Sequence, residues 1–200
     1  MFTRIVTFTG ATDIDAGMRY LQDTVAPLLR EQKGFRGVTA SADRSGGVLG
    51  VLSLWETEAD RDASESTLVK AREEGQRVIG GAMTVEQFEE LLVEIDRPPT
   101  VGCSLLVRPI SMDPAKIDEN LGFFRRVVLP EIKANPGFCA VRAMVNRQTG
   151  EGMVGTVWAD TASMDAAAEA AEARRQQQAA QQGVTLGEQT KREIVFADMR

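Results

Sequence analysis

The sequence predicts an α+β fold in which one β-α-β-β-α-β unit occurs twice in tandem. Three observations carry that prediction. The stretch LSLWETEADRDAS (52–64) returns as GTVWADTASMDAA (155–167), each an apolar run that ends in tryptophan and leads into a helical pattern. Residues 1–97 align with 104–200 without a gap, matching Pro27 with Pro130, Gly34-Phe35 with Gly137-Phe138 and Val38 with Val141. The same alignment matches Arg44 with Arg147, Gly47 with Gly150, Val51 with Val154, Trp55 with Trp158, Asp62 with Asp165 and Arg97 with Arg200. Within each half, β-branched runs and segments of helical period follow one another in the same order.

Each element has its own signal. FTRIVTFT (2–9) is rich in β-branched and aromatic residues and reads as a first strand. A helix follows with apolar positions Ile14, Met18, Leu21, Val25 and Leu29; the second half repeats the spacing with Ile117, Leu121, Phe124, Val128 and Ile132. Asp113-Pro114 supplies an N-cap and a proline at the first helical position. Pro27 and Pro130 lack a backbone donor and predict a kink or a new helical turn. Gly34 and Gly137 end the helices. A second strand (Phe35 to Asp43, Phe138 to Asn146) leads through the turns RSGG and RQTG into the strand that ends at tryptophan. Second helices span about 58–78 and 161–182, and EELLVEIDR and EIVFADMR close the two halves.

That order is the ferredoxin-like split motif. One such sheet carries helices on one face only, and VLGVLSLW lacks the alternation of a half-exposed strand. The expectation is therefore two tandem ferredoxin-like repeats, 1–97 and 104–200, joined by the linker 98–103 and packing sheet to sheet as an intramolecular barrel.

Composition excludes several function classes. A net charge of −6 and a pI near 4.9 argue against a nucleic-acid footprint. No apolar run approaches the ~18 residues of a membrane span, and MFTRIVTFTG reads as a strand, not a signal peptide. A cytoplasmic protein is expected, with Cys103 and Cys139 reduced and buried. The chain has no histidine, so the usual base at neutral pH and the commonest metal and haem ligand are missing. Neither a cofactor nor a metal is expected.

With this order in hand, the chain resembles the antibiotic biosynthesis monooxygenase (ABM) superfamily, the dimeric α+β barrel proteins. The carriers are the Gly-Phe at the start of strand two, the glycine turn, and the apolar strand ending in Trp55-Glu56-Thr57-Glu58-Ala59-Asp60. The likeness extends over essentially the whole chain and implies a cavity between sheet and helices in each half. Some members oxygenate polyketide-like phenols or quinols without metal or flavin, and others degrade haem. By resemblance, Trp55 and Trp158 fall at a tryptophan that lines the cavity. The haem-degrading pattern also wants an asparagine on the first strand and a histidine on the second helix. The first strands here have no Asn, and 64–66 and 167–169 contain no His, so haem degradation is disfavoured.

The candidate site residues are Trp55, Trp158, Arg4, Arg108, Arg142 and Tyr20. Each tryptophan either packs an aromatic substrate and offers its indole N–H to an oxyanion, or fills the strand end as core. Arg4, Arg108 and Arg142 lie within strands, where a guanidinium either meets an anionic substrate or reaches out to water. Tyr20, the single tyrosine, is a candidate donor or rim residue. Asn120 occupies a nearby position on the matching helix, and REEGQR and ARRQQQ read as solvated helix faces. The expected function is binding of a small apolar or aromatic molecule, either with cofactor-free oxygenation of a quinol-like substrate or as a non-enzymatic module. The expected state is a monomeric pseudo-dimer or a modest homodimer, with neither nucleic acid nor membrane as partner.

Overall fold

The computed structural model describes residues 1–169 and 172–199. Residues 170 and 171, inside the expected helix 161–182, and Arg200, matched with Arg97, lie outside the described residues. The chain forms two compact units, 1–87 with 193–200 and 88–192.

The first half of the chain runs β1 (Phe2–Thr9), α1 (Ile14–Tyr20), a π-helical turn (Leu21–Val25), α2 (Ala26–Arg30), β2 (Phe35–Asp43), β3 (Val48–Trp55), α3 (Glu58–Ala63), α4 (Glu65–Ile79) and β4 (Ala82–Ile95). The second half runs β5 (Ser104–Met112), a 3-10 turn (Pro114–Lys116), α5 (Ile117–Phe123), a π-helical turn (Phe124–Val128), α6 (Leu129–Lys133), β6 (Phe138–Val145) and β7 (Glu151–Trp158). It continues with α7 (Thr161–Glu169), α8 (Glu172–Gln181), a short β8 (Val184–Leu186) and β9 (Thr190–Met199).

The first unit centres on β3, antiparallel to β1 on one side and β2 on the other. Phe2 and Phe35 both pair with Trp55 in this register, so the strand end is sealed by three aromatic residues. The free edge of β2 is taken by β9, with Gly37 opposite Met199 and Ala42 opposite Glu193. The second unit centres on β7, antiparallel to β5 and β6, with Ser104 and Phe138 opposite Trp158. Here β4 takes the edge of β6, with Ile95 opposite Ala140 and Glu89 opposite Val145. The hydrogen-bonded order is β7-β6-β4-β1-β3-β2-β9-β5, and β5 pairs with β7 in turn. The fold is thus mixed α+β, with antiparallel pairing in each unit.

Physical chemistry accounts for the punctuation. Pro27 and Pro130 have no N–H to give to the carbonyl four residues back, and the helix widens just before each. Ala26 donates to Leu21 and Leu129 to Phe124, five residues back in both cases. Asp13 caps α1 by accepting from Ala16 N at 2.8 Å, and Asp113 accepts from Ala115 N at 2.9 Å. Gly34 and Gly137 adopt φ of 72° and 81°, and a Cβ there would stand 2.5 Å from Asp60 and 2.4 Å from Ser163. The Gly-Phe pair is therefore a helix stop and a close approach to the next helix.

Three features differ from the sequence expectation. The helix expected over 58–78 is broken at Ser64, whose hydroxyl donates to Arg61 O at 2.6 Å and accepts from Arg4 Nη1 at 2.9 Å. The closing strands are longer than expected, 82–95 and 190–199, and β8 is an additional strand beside β5. Cys103 and Cys139 are free and buried, and burial pushes the Cys139 thiol up, away from thiolate.

Candidate functional site

The second unit holds an apolar cavity of about 150 Å³ between its sheet and its helices. Alternation along the strands builds the floor: Leu106, Arg108 and Ile110 from β5, Ala143 and Val145 from β6, and Val154, Thr156 and Trp158 from β7. Ile117, Asn120 and Leu121 on α5 and Arg175, Gln178 and Ala179 on α8 supply the roof. Trp158, 1% exposed, stands at the end of the central strand, with Phe138 edge-on to it at 5.9 Å. Its indole N–H donates to Thr156 Oγ1 at 3.0 Å.

Two cations reach this wall, and each has partners within the unit. Arg108 Nη2 donates to Glu172 at 2.6 Å. Arg175 donates to Ala167 O at 2.7 Å and Ala168 O at 3.5 Å, both on α7. Burial lowers the proton affinity of the Arg175 guanidinium, offset in part by Glu172. Burial also pushes the Glu172 carboxyl up, but hydrogen bonds from Gln176 and Arg108 overcome it and hold the group below its usual value.

The first unit keeps only about 60 Å³ at the equivalent place. Arg4, Val6, Phe8, Leu49, Val51 and Ser53 face Tyr20, Leu68, Arg72 and Gly75 there. Arg4, 1% exposed, donates to Ser64 Oγ and to Arg61 O at 2.7 Å, and pairs with Glu65 at 3.1 Å. Arg72 pairs with the same Glu65. The Arg4 guanidinium carbon lies 5.8 Å from the centre of the Trp55 ring, and Trp55 donates its N–H to Ser53 Oγ at 3.0 Å. Tyr20 donates to Ala71 O at 3.2 Å, and burial, with Glu74, raises its pKa, so it remains a phenol at neutral pH.

Of the six candidate residues, the structure sets Trp158 and Arg108 at the larger cavity and Arg4 and Tyr20 at the smaller one. Trp55 is fully buried beside the first cavity but outside its lining. Arg142 is also outside both linings: it pairs with Glu90, whose side chain is 5% exposed. Sequence reasoning missed Thr156, Arg175 and Gln178. The reading of the acidic and basic residues of REEGQR and ARRQQQ as solvated faces fails at Arg72 and Arg175, which line the cavities, as does Gln178. One available signal was the match of Arg72 with Arg175 in the self-alignment. Among the described residues, no group of three or more His, Cys, Asp or Glu could hold a metal ion. No helix among them is long and apolar enough to cross a membrane.

Comparison with known proteins places this geometry. No protein-family model matches the chain. Two uncharacterized proteins of Mycobacterium tuberculosis (strain H37Rv) are 30% and 28% identical over 133 and 137 residues, covering 66% and 68% of this chain. The matches span 56% and 61% of those relatives' own length. An anthrone oxidase-like protein superposes with a TM-score of 0.71 at 13% identity, over 99% of this chain and 92% of its own. A Fusobacterium nucleatum protein provisionally assigned as a monooxygenase gives 0.69 at 10% identity, over 100% and 94%. An uncharacterized ferredoxin-fold protein of Listeria monocytogenes, related to antibiotic biosynthesis monooxygenases, gives 0.57 at 10% identity, over 98% and 95%. The chain has the α+β fold of ABM-like monooxygenases. At these identities the likeness is one of fold, and function must be argued from the site.

Proposed function

We propose that this chain is a tandem duplication of an ABM-like unit, 1–97 and 104–200, in which the second unit binds a small apolar or aromatic molecule. The observation that supports this reading is the cavity of about 150 Å³, apolar on most of its wall, with Trp158 at its end. A cavity of about that volume lined by aliphatic and aromatic side chains accommodates benzene. The smaller first cavity, bordered by Arg4 and Arg72, which share Glu65 as partner, serves as core. Trp158 then packs against the ligand through its ring, because its N–H is engaged by Thr156.

Cofactor-free oxygenation is the second reading, favoured by Arg108 on the cavity wall, where a guanidinium stabilises a phenolate or enolate that reduces O₂. The wall offers that stabilisation but, among the described residues, no base: its ionisable side chains there are Arg108 and Arg175. Binding is therefore the function the geometry supports best. Native mass spectrometry of the purified protein, followed by denaturing extraction and oxygen-uptake assays with quinols, tests both readings. Val154→Phe, which fills the cavity from the sheet side, is expected to abolish binding while leaving the fold intact. Undiminished binding in that variant defeats the cavity reading.

A further inference from the structure

The two units differ systematically where helices meet sheet. In the first, Gly17 lies so close to α4 that a Cβ there would stand 2.5 Å from Ile79 Cγ1. A Cβ at Gly75 would touch the Tyr20 ring at 3.5 Å. Gly17 thus lets α1 and α4 settle together, and Gly75 stands opposite the Tyr20 ring. In the self-alignment the same two positions of the second unit are Asn120 and Gln178. A pair of glycines lining one cavity is thus a pair of amides lining the other.

Both amides carry a carbonyl oxygen without use. Asn120 is 7% exposed; its Nδ2 donates to Met112 Sδ at 3.4 Å, and its Oδ1 is shielded from solvent with no hydrogen-bond partner among the described residues. Gln178 Oε1 is in the same condition. The contact with the thioether sets the Asn120 amide. Reversed, it would turn a carbonyl oxygen toward the sulfur lone pairs. Buried acceptors are ordinarily satisfied, and these two border a cavity of ligand size.

The two guanidiniums on the wall are already engaged by groups of the protein. Arg108 is matched by Glu172, and Arg175 is engaged by the carbonyls of Ala167 and Ala168. Both residues of the amide pair line the cavity, and the oxygen that each leaves without a partner accepts from a ligand O–H or N–H and repels a carboxylate. We propose that Asn120 and Gln178 are the specificity-determining pair of this cavity. They select a neutral molecule about the size of one six-membered ring that carries two hydrogen-bond donors. The inference rests on the second-unit cavity being the ligand site.

Isothermal titration of the full chain with five probes tests it: toluene, anisole, phenol, resorcinol and benzoate. Affinity is expected to rise from toluene and anisole through phenol to resorcinol, with benzoate weakest. Asn120→Leu and Gln178→Leu should each weaken resorcinol roughly tenfold, equivalent to about 1.4 kcal/mol, and leave toluene unchanged or tighter. If toluene and anisole match resorcinol, or benzoate binds best, the cavity is a ligand site but the amide pair does not select, and the proposal falls. If none of the five binds, the cavity reading itself fails and takes the proposal with it. The ranking on the unaltered protein decides the matter even where a variant folds poorly.

Discussion

At the scale of single residues, the two helix–sheet interfaces make opposite predictions about stability. Asn120 Oδ1 is buried without a partner among the described residues, and such an acceptor costs about 1–3 kcal/mol relative to an apolar group of similar shape. Asn120→Leu is therefore expected to stabilise the unliganded chain by about 1 kcal/mol, measured as a higher urea midpoint at unchanged slope. Gly17 is the converse case. A methyl group there must displace Ile79, a buried side chain at 3% exposure, and overpacking of this kind costs about 1–3 kcal/mol. Gly17→Ala should lower the midpoint accordingly. An Asn120→Leu variant less stable than the parent would mean that the amide is satisfied in solution. A neutral Gly17→Ala would mean that α1 and α4 are looser than the geometry shows.

At the scale of elements, much of the fold was legible and the cavity was not. The apolar stripe Ile14–Met18–Leu21 and the run ending at Trp55 state their periods locally, and those segments fold as read. Pro27 and Pro130 announced an irregularity, since a missing N–H acts wherever it falls. The polar helix α8 was opaque for a physical reason. Glu172, Arg175 and Gln178 are long side chains that serve equally on a solvated face or folded inward, and composition does not say which face docks. The partner changes of β4 and β9 were equally silent, because no local signal marks where a strand exchanges one neighbour for another.

The inward turn of α8 gives a pH prediction. Glu172 is held below its usual pKa in the folded state, so its contribution is present at pH values above the unfolded carboxyl's pKa. It is lost as pH falls through the lower folded value. With its side chain 40% exposed, the pair with Arg108 is screened and contributes about 1 kcal/mol. Glu172→Gln should therefore lower the melting temperature at pH 7, and the two melting curves should converge as pH drops below the ordinary carboxylate range. Parallel curves at all pH values would show that the pair contributes nothing dependent on charge.

At the scale of the whole molecule, the pattern of strand pairing predicts how the chain unfolds. The strand β4 begins in the unit formed by 1–87 and ends in the unit formed by 88–192, and β9 makes the reverse passage. The residues from Glu193 to Met199 cover the edge of β2, and those from Glu89 to Ile95 cover the edge of β6. Each unit thus depends on a strand whose other end is anchored in the remaining one. Losing either unit frees one half of each strand whose other half stays paired in the remaining unit, which loosens that half at its end. The chain should melt in one cooperative step, although a duplicated sequence would ordinarily allow two. The two tryptophans make this measurable, since Trp55 belongs to the first unit and Trp158 to the second. Trp158→Phe leaves a reporter for one unit and Trp55→Phe for the other, and circular dichroism of each variant supplies the common reference. Within each variant, the fluorescence midpoint in urea should coincide with that of the dichroism. A fluorescence transition that runs ahead of the dichroism in one variant and behind it in the other would show that the units melt separately. The exchanged strands would then add edge pairing to each unit without coupling the two.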